Sequence, residues 1–373
     1  MKKTALVFVF LAFALSAFAQ DYTIPSTNIG GRNYPRVLPD KSVEFRFRAP
    51  DAAKVLVDLG GTRYEMVRDA EGWWTVVTKP QVPGYHYYQL IVDGVSMSDP
   101  SSRSFYGTSK WSSAIEIPEE GAEIFEIQPV PHGQIRELNY YSKLTGTWRP
   151  LRVYTPASYE KGKKKYPVVY IHHGGGEDYR GWMEQGRTGT VLDNLIAEGK
   201  AVEMIVVSVD SNVPGRGGYS RDGMAPYRSE LLESIIPFIE SNFRVKPGRA
   251  NRAMCGLSMG GGQSFYIGLN EPSVFANVGV FSSGIFGGIA GQADFDLEAA
   301  VPGMLSATDI FNKNFDVFFL SCGEQDPRIN YTKAMAEKMR AAGVDVVFSS
   351  YPGDHEWHVW RKSFRDFAQL LFK

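Results

Sequence analysis

Gly256-Leu257-Ser258-Met259-Gly260 constrains this chain more than any other stretch. Arg252-Ala253-Met254-Cys255, just before it, reads as a short buried strand, and Gly261 to Ile267, just after it, as the start of a helix. A serine between glycines where a strand turns sharply into a helix is a nucleophile elbow. The turn is so tight that the serine backbone is strained and its neighbours must lack bulk, which the glycines at 256 and 260 supply. The serine oxygen then stands clear, and the first N–H groups of the helix point to where an oxyanion would form.

An elbow needs a largely parallel sheet, and the carboxyl-terminal part of the chain is patterned for one. From Gly133 onward strand-like and helix-like runs alternate, the signature of an α/β domain. Residues 135–141 and 149–154 predict a hairpin, and 166–171, 204–209, 278–284, 317–322 and 346–351 predict buried strands. Helical spacing is expected at 191–197, 231–239 (kinked at Pro237), 331–342 and 360–371. Before this the period is two: Val43, Phe45 and Phe47 alternate with Glu44, Arg46 and Arg48, and turn pairs such as Gly60-Gly61 and Asp93-Gly94 follow at short intervals. That predicts an antiparallel β-sandwich. The expected organisation is a leader over 1–19, a small all-β immunoglobulin-like sandwich over 20–118, an acidic linker over 119–131, and an α/β-hydrolase domain with a mostly parallel central sheet over 132–373. The 373 residues suit two domains.

Lys2-Lys3, the apolar run Ala5–Phe13 and Ala17-Phe18-Ala19 make a secretory signal, so the protein is expected to be periplasmic or secreted. The formal charge of −1 gives no support for nucleic acid or an anionic membrane as partner. Cys255 and Cys322, the two cysteines, are read as buried free thiols, and no metal site or cofactor is expected.

A serine hydroxyl needs a base, and the base needs an acid to hold its tautomer. In the chain order Ser, acid, His, the acid belongs just past a strand end, where Gly323-Glu324-Gln325-Asp326-Pro327 lies. Asp326 is the candidate and Glu324 the reserve. The base belongs after the last strand, where Gly353-Asp354-His355-Glu356-Trp357-His358 lies. His355 is the candidate, with His358 beginning the final helix. The expected oxyanion donors are the N–H groups of Met259 and of Gly175, in His172-His173-Gly174-Gly175-Gly176, with Gly174 next; the two histidines anchor that loop.

Residues 132 to the C-terminus resemble carbohydrate esterase family 1, the feruloyl and acetyl-xylan esterases of the esterase-D group. The resemblance rests on Arg152–Pro156, His172–Gly176, Leu192–Lys200, Ile235–Glu240, Gly256–Gly262 and Gly353-Asp354-His355 before Trp360. Cys255 departs from the small apolar residue expected there. The sandwich resembles family 48 carbohydrate-binding and related immunoglobulin-like modules through Phe47–Pro50, Gly72-Trp73-Trp74 and Pro83–Tyr88 running into Val92-Asp93-Gly94. Trp73, Trp74 and Trp111 are read as filling its core or the domain interface rather than stacking on sugar. The esterase resemblance implies hydrolysis of feruloyl esters on plant arabinoxylan, without metal or cofactor. Trp182, Tyr219 and Trp357 are expected to rim the acyl slot, and Asp210–Pro226 to form a lid. The alternatives are acetyl-xylan or siderophore esters, the latter using Arg180, Arg187, Arg216 or Arg221, and a non-catalytic glycan-binding protein.

Overall fold

The structure, a computed structural model, describes residues 21–218, 220–288 and 295–373. The expected leader and Tyr219 lie outside the described residues. None of the described helices is long and apolar enough to cross a membrane.

The carboxyl-terminal part is built on an eight-stranded sheet: β1 (Gln134–Ser142), β2 (Thr147–Thr155), β3 (Val168–His172), β4 (Ile205–Val209), β5 (Arg252–Leu257), β6 (Asn277–Phe281), β7 (Val317–Gly323) and β8 (Val347–Tyr351). Their spatial order is β1-β2-β4-β3-β5-β6-β7-β8. The β1–β2 hairpin pairs antiparallel, as does β2 with β4, and every pairing from β4 to β8 is parallel. Strands β3, β4 and β6 are buried along their whole length, because helices cover both faces of a parallel sheet. This is why those strands read as mostly apolar runs with no alternation of polar residues. The two cysteines sit unbridged and buried on β5 and β7, with β6 between them.

The helix expected around Pro237 is segmented. Arg221–Glu230 is α-helical, Leu231–Ile235 forms a wide π turn, and Ile236–Asn242 resumes the α-helix with Pro237 in its first turn. Proline cannot donate to the preceding turn, and the wide turn accommodates the missing bond. The end of the expected lid, from Arg221 to Pro226, is thus helix.

The amino-terminal part has two antiparallel sheets, of four and six strands, enclosing Val43, Phe45, Val55, Val57, Trp74, Tyr88 and Leu90. Its longest strand, Gly84–Val92, is buried on both faces over most of its length. Tyr88 and Leu90 fill the sandwich core, while Tyr85 joins the hydrolase core with Trp182, Trp357 and Phe364. The sandwich therefore docks with one sheet face against the helix Trp357–Ala368. Glu116 anchors the junction: Arg361 donates two hydrogen bonds to it, of 3.1 and 3.0 Å, and Arg187 approaches to 3.1 Å. Lys362 pairs with Glu119 at 2.7 Å.

The stretch 119–131 is no free tether. It carries a short 3-10 turn at Ala122–Phe125 whose Phe125 is buried, and Asn194 Nδ2 donates to the carbonyls of Glu123, Ile124 and Glu126. Of the sandwich tryptophans, Trp74 is core as expected, but Trp111 is 50% exposed. It sits at the rim of the junction, with the Arg180 guanidinium 4.7 Å from its ring centre.

Candidate active site

The elbow forms as its glycines require. Ser258, at the end of β5, has φ 51° and ψ −110°, strained backbone for any residue with a side chain. A Cβ on Gly256 would lie 2.6 Å from the Gly260 carbonyl carbon, and one on Gly260 would lie 2.5 Å from the His172 carbonyl oxygen. Both contacts are with backbone, so no rotamer change relieves them. Met259 opens the helix Met259–Gln263, and a first-turn N–H has no partner within its own helix.

The loop after β3 comes up beside the serine. A Cβ on Gly174 would meet Ser258 Cβ at 3.3 Å, whereas nothing lies within 4 Å of one on Gly175. The two histidines before these glycines hold the loop from below. Fully buried His172 shares a 2.9 Å hydrogen bond with the Cys255 carbonyl, and burial lowers its pKa to about 4. His173 donates from Nδ1 to the Gly174 carbonyl and accepts at Nε2 from Ser211 N–H. From the sandwich, Ser109 N–H donates to the Gly176 carbonyl at 2.7 Å.

The acid and base loops are stitched together. Glu324 N–H donates to the Tyr351 carbonyl, Gln325 N–H to the Gly353 carbonyl, and Gly353 N–H back to Gln325 Oε1. Asp326 is buried and accepts from His355 Nδ1 at 2.7 Å through Oδ2. Its Oδ1 accepts from Arg328 N–H at 3.0 Å and Arg328 Nη1 at 2.9 Å. Burial opposes ionisation, but the bonds from His355 and Arg328 outweigh it and hold the carboxyl below its usual value. Glu324, the reserve, is exposed and faces Ser350. The His355 ring packs edge-on against Trp360, centroids 5.0 Å apart.

Ser258 and His355 line one cavity of about 120 Å³, with Gly174, Gly175, Glu177, Leu257, Glu356, Trp357 and Trp360, and with Tyr85, Tyr87 and Thr108 from the sandwich. Among the described residues it contains no lysine or arginine. A wider hollow of about 580 Å³, beside Arg221 and Arg228, contains none of the candidate catalytic residues.

Two expectations are corrected. Trp182 does not rim the slot: it is wholly buried, donates from Nε1 to the His172 carbonyl, and supports Trp357 from beneath with ring centroids 5.2 Å apart. None of the four siderophore arginines, Arg216 included, lines the cavity, and three are placed elsewhere. Arg180 pairs with Asp178, Arg187 with Glu116, and Arg221 lines the wider hollow. Glu177, Tyr85 and Tyr87 also line the pocket, beyond the residues the sequence points to. The available signal was Tyr85-His86-Tyr87-Tyr88, large residues on both faces of an antiparallel strand, which implies a cover on the second face.

A sharply turned serine at the end of the central strand of a mostly parallel sheet, with acid and imidazole from the ends of β7 and β8, defines an α/β-hydrolase of the serine ester hydrolase class. Residues 142–370 match the Esterase family, and the chain belongs to that family. It is 34% identical over 366 residues to an endo-1,4-beta-xylanase/feruloyl esterase of Xylanibacter ruminicola, covering 95% of this chain and 48% of that protein. It is 27% identical over 191 residues to endo-1,4-beta-xylanase Y of Acetivibrio thermocellus, covering 48% of this chain and 16% of that protein. The chain thus spans half or less of the length of these relatives. Among solved structures, a CE1 ferulic acid esterase from Anaeromyces mucronatus in complex with ferulic acid superposes with TM-score 0.56 at 30% identity, over 66% of this chain and 93% of that one. The enterobactin esterase FES from Shigella flexneri superposes with TM-score 0.67 over 88% of this chain and 92% of its own. Its 16% identity makes that a likeness of fold alone.

Proposed function

We propose that this chain is an exported feruloyl esterase that releases ferulate or a related hydroxycinnamate from arabinoxylan, with Ser258, His355 and Asp326 as its triad. The observation that carries the reading is the cavity beside Ser258 and His355, walled by Tyr85, Tyr87, Trp357 and Trp360 and free of cationic side chains. At about 120 Å³ it is well below the ~300–1,000 Å³ of sites that enclose a drug-sized ligand. It suits a flat acyl group, with the polysaccharide left outside. The relatives' names and the ferulic acid complex point the same way.

In this reading His355 Nε2 takes the Ser258 proton as Oγ attacks the ester carbonyl, and the N–H groups of Met259 and Gly175 hold the oxyanion. Asp326 keeps the other imidazole proton on Nδ1. The sugar alcohol leaves with the proton from His355, and water then releases the acyl group from Ser258 by the same route. No hydrogen bond joins Ser258 to His355 among the described residues; catalytic contacts commonly tighten only when substrate binds. A pocket without lysine or arginine offers no cation to pair with an anionic ferric siderophore.

The test is release of product from methyl ferulate, acetylated xylan and linear enterobactin by the wild type and by Ser258→Ala. Ferulate release abolished by the substitution supports the reading. Ferulate release that survives it overturns the mechanism. Acetate release alone reassigns the substrate, and glycan binding without any turnover reassigns the chain as a binding protein.

A further inference from the structure

We infer that Glu177 is a specificity-determining residue of the acyl pocket: its carboxyl hydrogen-bonds a hydroxyl on the aromatic ring of the acyl group, so that hydroxycinnamoyl esters are favoured over unhydroxylated ones. This rests on the reading of the chain as an aromatic-acyl esterase.

Glu177 lines the same cavity as Ser258 and His355, one residue past the glycines of the oxyanion loop. Its Oε1 accepts from Trp357 Nε1 at 3.0 Å and from the Tyr87 hydroxyl at 3.3 Å. Its Oε2 is buried and has no partner. An unmet buried acceptor costs about 1–3 kcal/mol, and such a group needs an explanation. Half-buried Glu116 and buried Glu230 show what a purely structural acid looks like. Glu116 receives three guanidinium contacts, and Glu230 accepts from Tyr140 on one oxygen and Ser142 on the other. Of these three, only Glu177 leaves an oxygen without a partner, and only Glu177 lines the cavity of Ser258 and His355.

The chemistry of the group narrows what it can meet. Burial pushes its pKa up to about 8, so near neutrality it holds a proton. With two donors already on Oε1, the proton belongs on Oε2. A neutral carboxyl both donates and accepts, as does a phenolic hydroxyl, and the walls around it are the flat faces a phenol needs. The geometry is also fixed. Tyr87 accepts from Gln185 Nε2 at 2.7 Å as well as from Trp357 Nε1 at 3.1 Å, and Trp357 is wedged between Trp182 and Trp360, each at 5.2 Å. The sandwich is therefore part of the pocket: without its Tyr87, Glu177 loses one of its two donors.

The experiment is the ratio of kcat/KM for methyl p-coumarate to that for methyl cinnamate, which differ only in the ring hydroxyl. The wild type is expected to favour the hydroxylated ester at least ~10-fold, since a site built to bond a hydroxyl rejects the analogue lacking it. Glu177→Gln, which retains a donor and an acceptor, is expected to keep most of that ratio, and Glu177→Leu to bring it to about threefold or less. A wild-type ratio near one overturns the inference without any variant, so it stays testable if Glu177→Leu does not fold. An unchanged ratio in a folded Glu177→Leu overturns it too. In both cases turnover of the two aromatic esters leaves the esterase reading standing. Turnover of neither aromatic ester, with acetylated xylan still cleaved, removes both.

Discussion

Replacing Asp326 with asparagine asks the structure a question with a calculable answer. The new side chain has one acceptor and one donor where the carboxylate had two acceptors. On one side it meets His355 Nδ1, and on the other the backbone N–H and Nη1 of Arg328. Keeping the amide oxygen toward Arg328 retains one ordinary and one charge-assisted bond, together about 2–4 kcal/mol. Turning it toward His355 retains a single bond of about 1 kcal/mol and drives NH₂ against two donors. The first orientation wins by more than the ~1.4 kcal/mol that makes a factor of ten. It also presents NH₂ to Nδ1, which moves the imidazole proton to Nε2, the atom that must accept from Ser258. The expected loss is about 10⁴-fold in kcat on methyl ferulate, with the variant still folded by circular dichroism. Glu324→Gln is the control and should stay close to wild type, since Glu324 is exposed and faces Ser350. Folded Asp326→Asn keeping more than about a tenth of wild-type kcat would refute the tautomer argument, and a large loss in Glu324→Gln would move the acid's role to the neighbouring position.

Further expectations concern the junction. Glu116→Ala leaves the nearly buried Arg361 without its carboxylate, which should cost about 3–5 kcal/mol in urea unfolding, and much of this should return in Glu116→Leu/Arg361→Met, where neither charge remains. A cost under about 1 kcal/mol would mean that the pair is hydrated and the docking loose. His86 of the sandwich meets Glu356 at 3.0 Å. Burial alone would lower the imidazole pKa, but the Glu356 bond raises it above 6.5, and the Glu356 carboxyl, likewise against burial, is held below 4.5. The histidine's contribution is then complete below pH 6.5 and fades as pH rises through its folded value, whereas the glutamate's is complete above pH 4.5 and fades on acidification. The difference in melting temperature between wild type and His86→Gln should be greatest at about pH 5–6.5 and shrink toward pH 9; a difference independent of pH would count against the ion pair.

The sequence by itself determined what depends on neighbours along the chain. A serine with a glycine two residues to either side, between a strand and a helix, admits one tight turn, and β3, β4 and β6 are mostly apolar because a covered parallel sheet leaves them no wet face. Asp326 and His355 are legible as a candidate pair because the residues after β7 and β8 emerge at the same edge as the elbow, where they meet. Trp182 departs from its expected place for a related reason: spacing does not say which way an indole turns, and Nε1 finds the His172 carbonyl beneath. Only the tertiary structure decided who walls the pocket. Tyr87 and Trp357 are 270 positions apart, and no local pattern encodes their meeting at Glu177. That meeting follows from one sheet face of the sandwich burying itself against the final helix, a match of two surfaces that exist only once each half has folded.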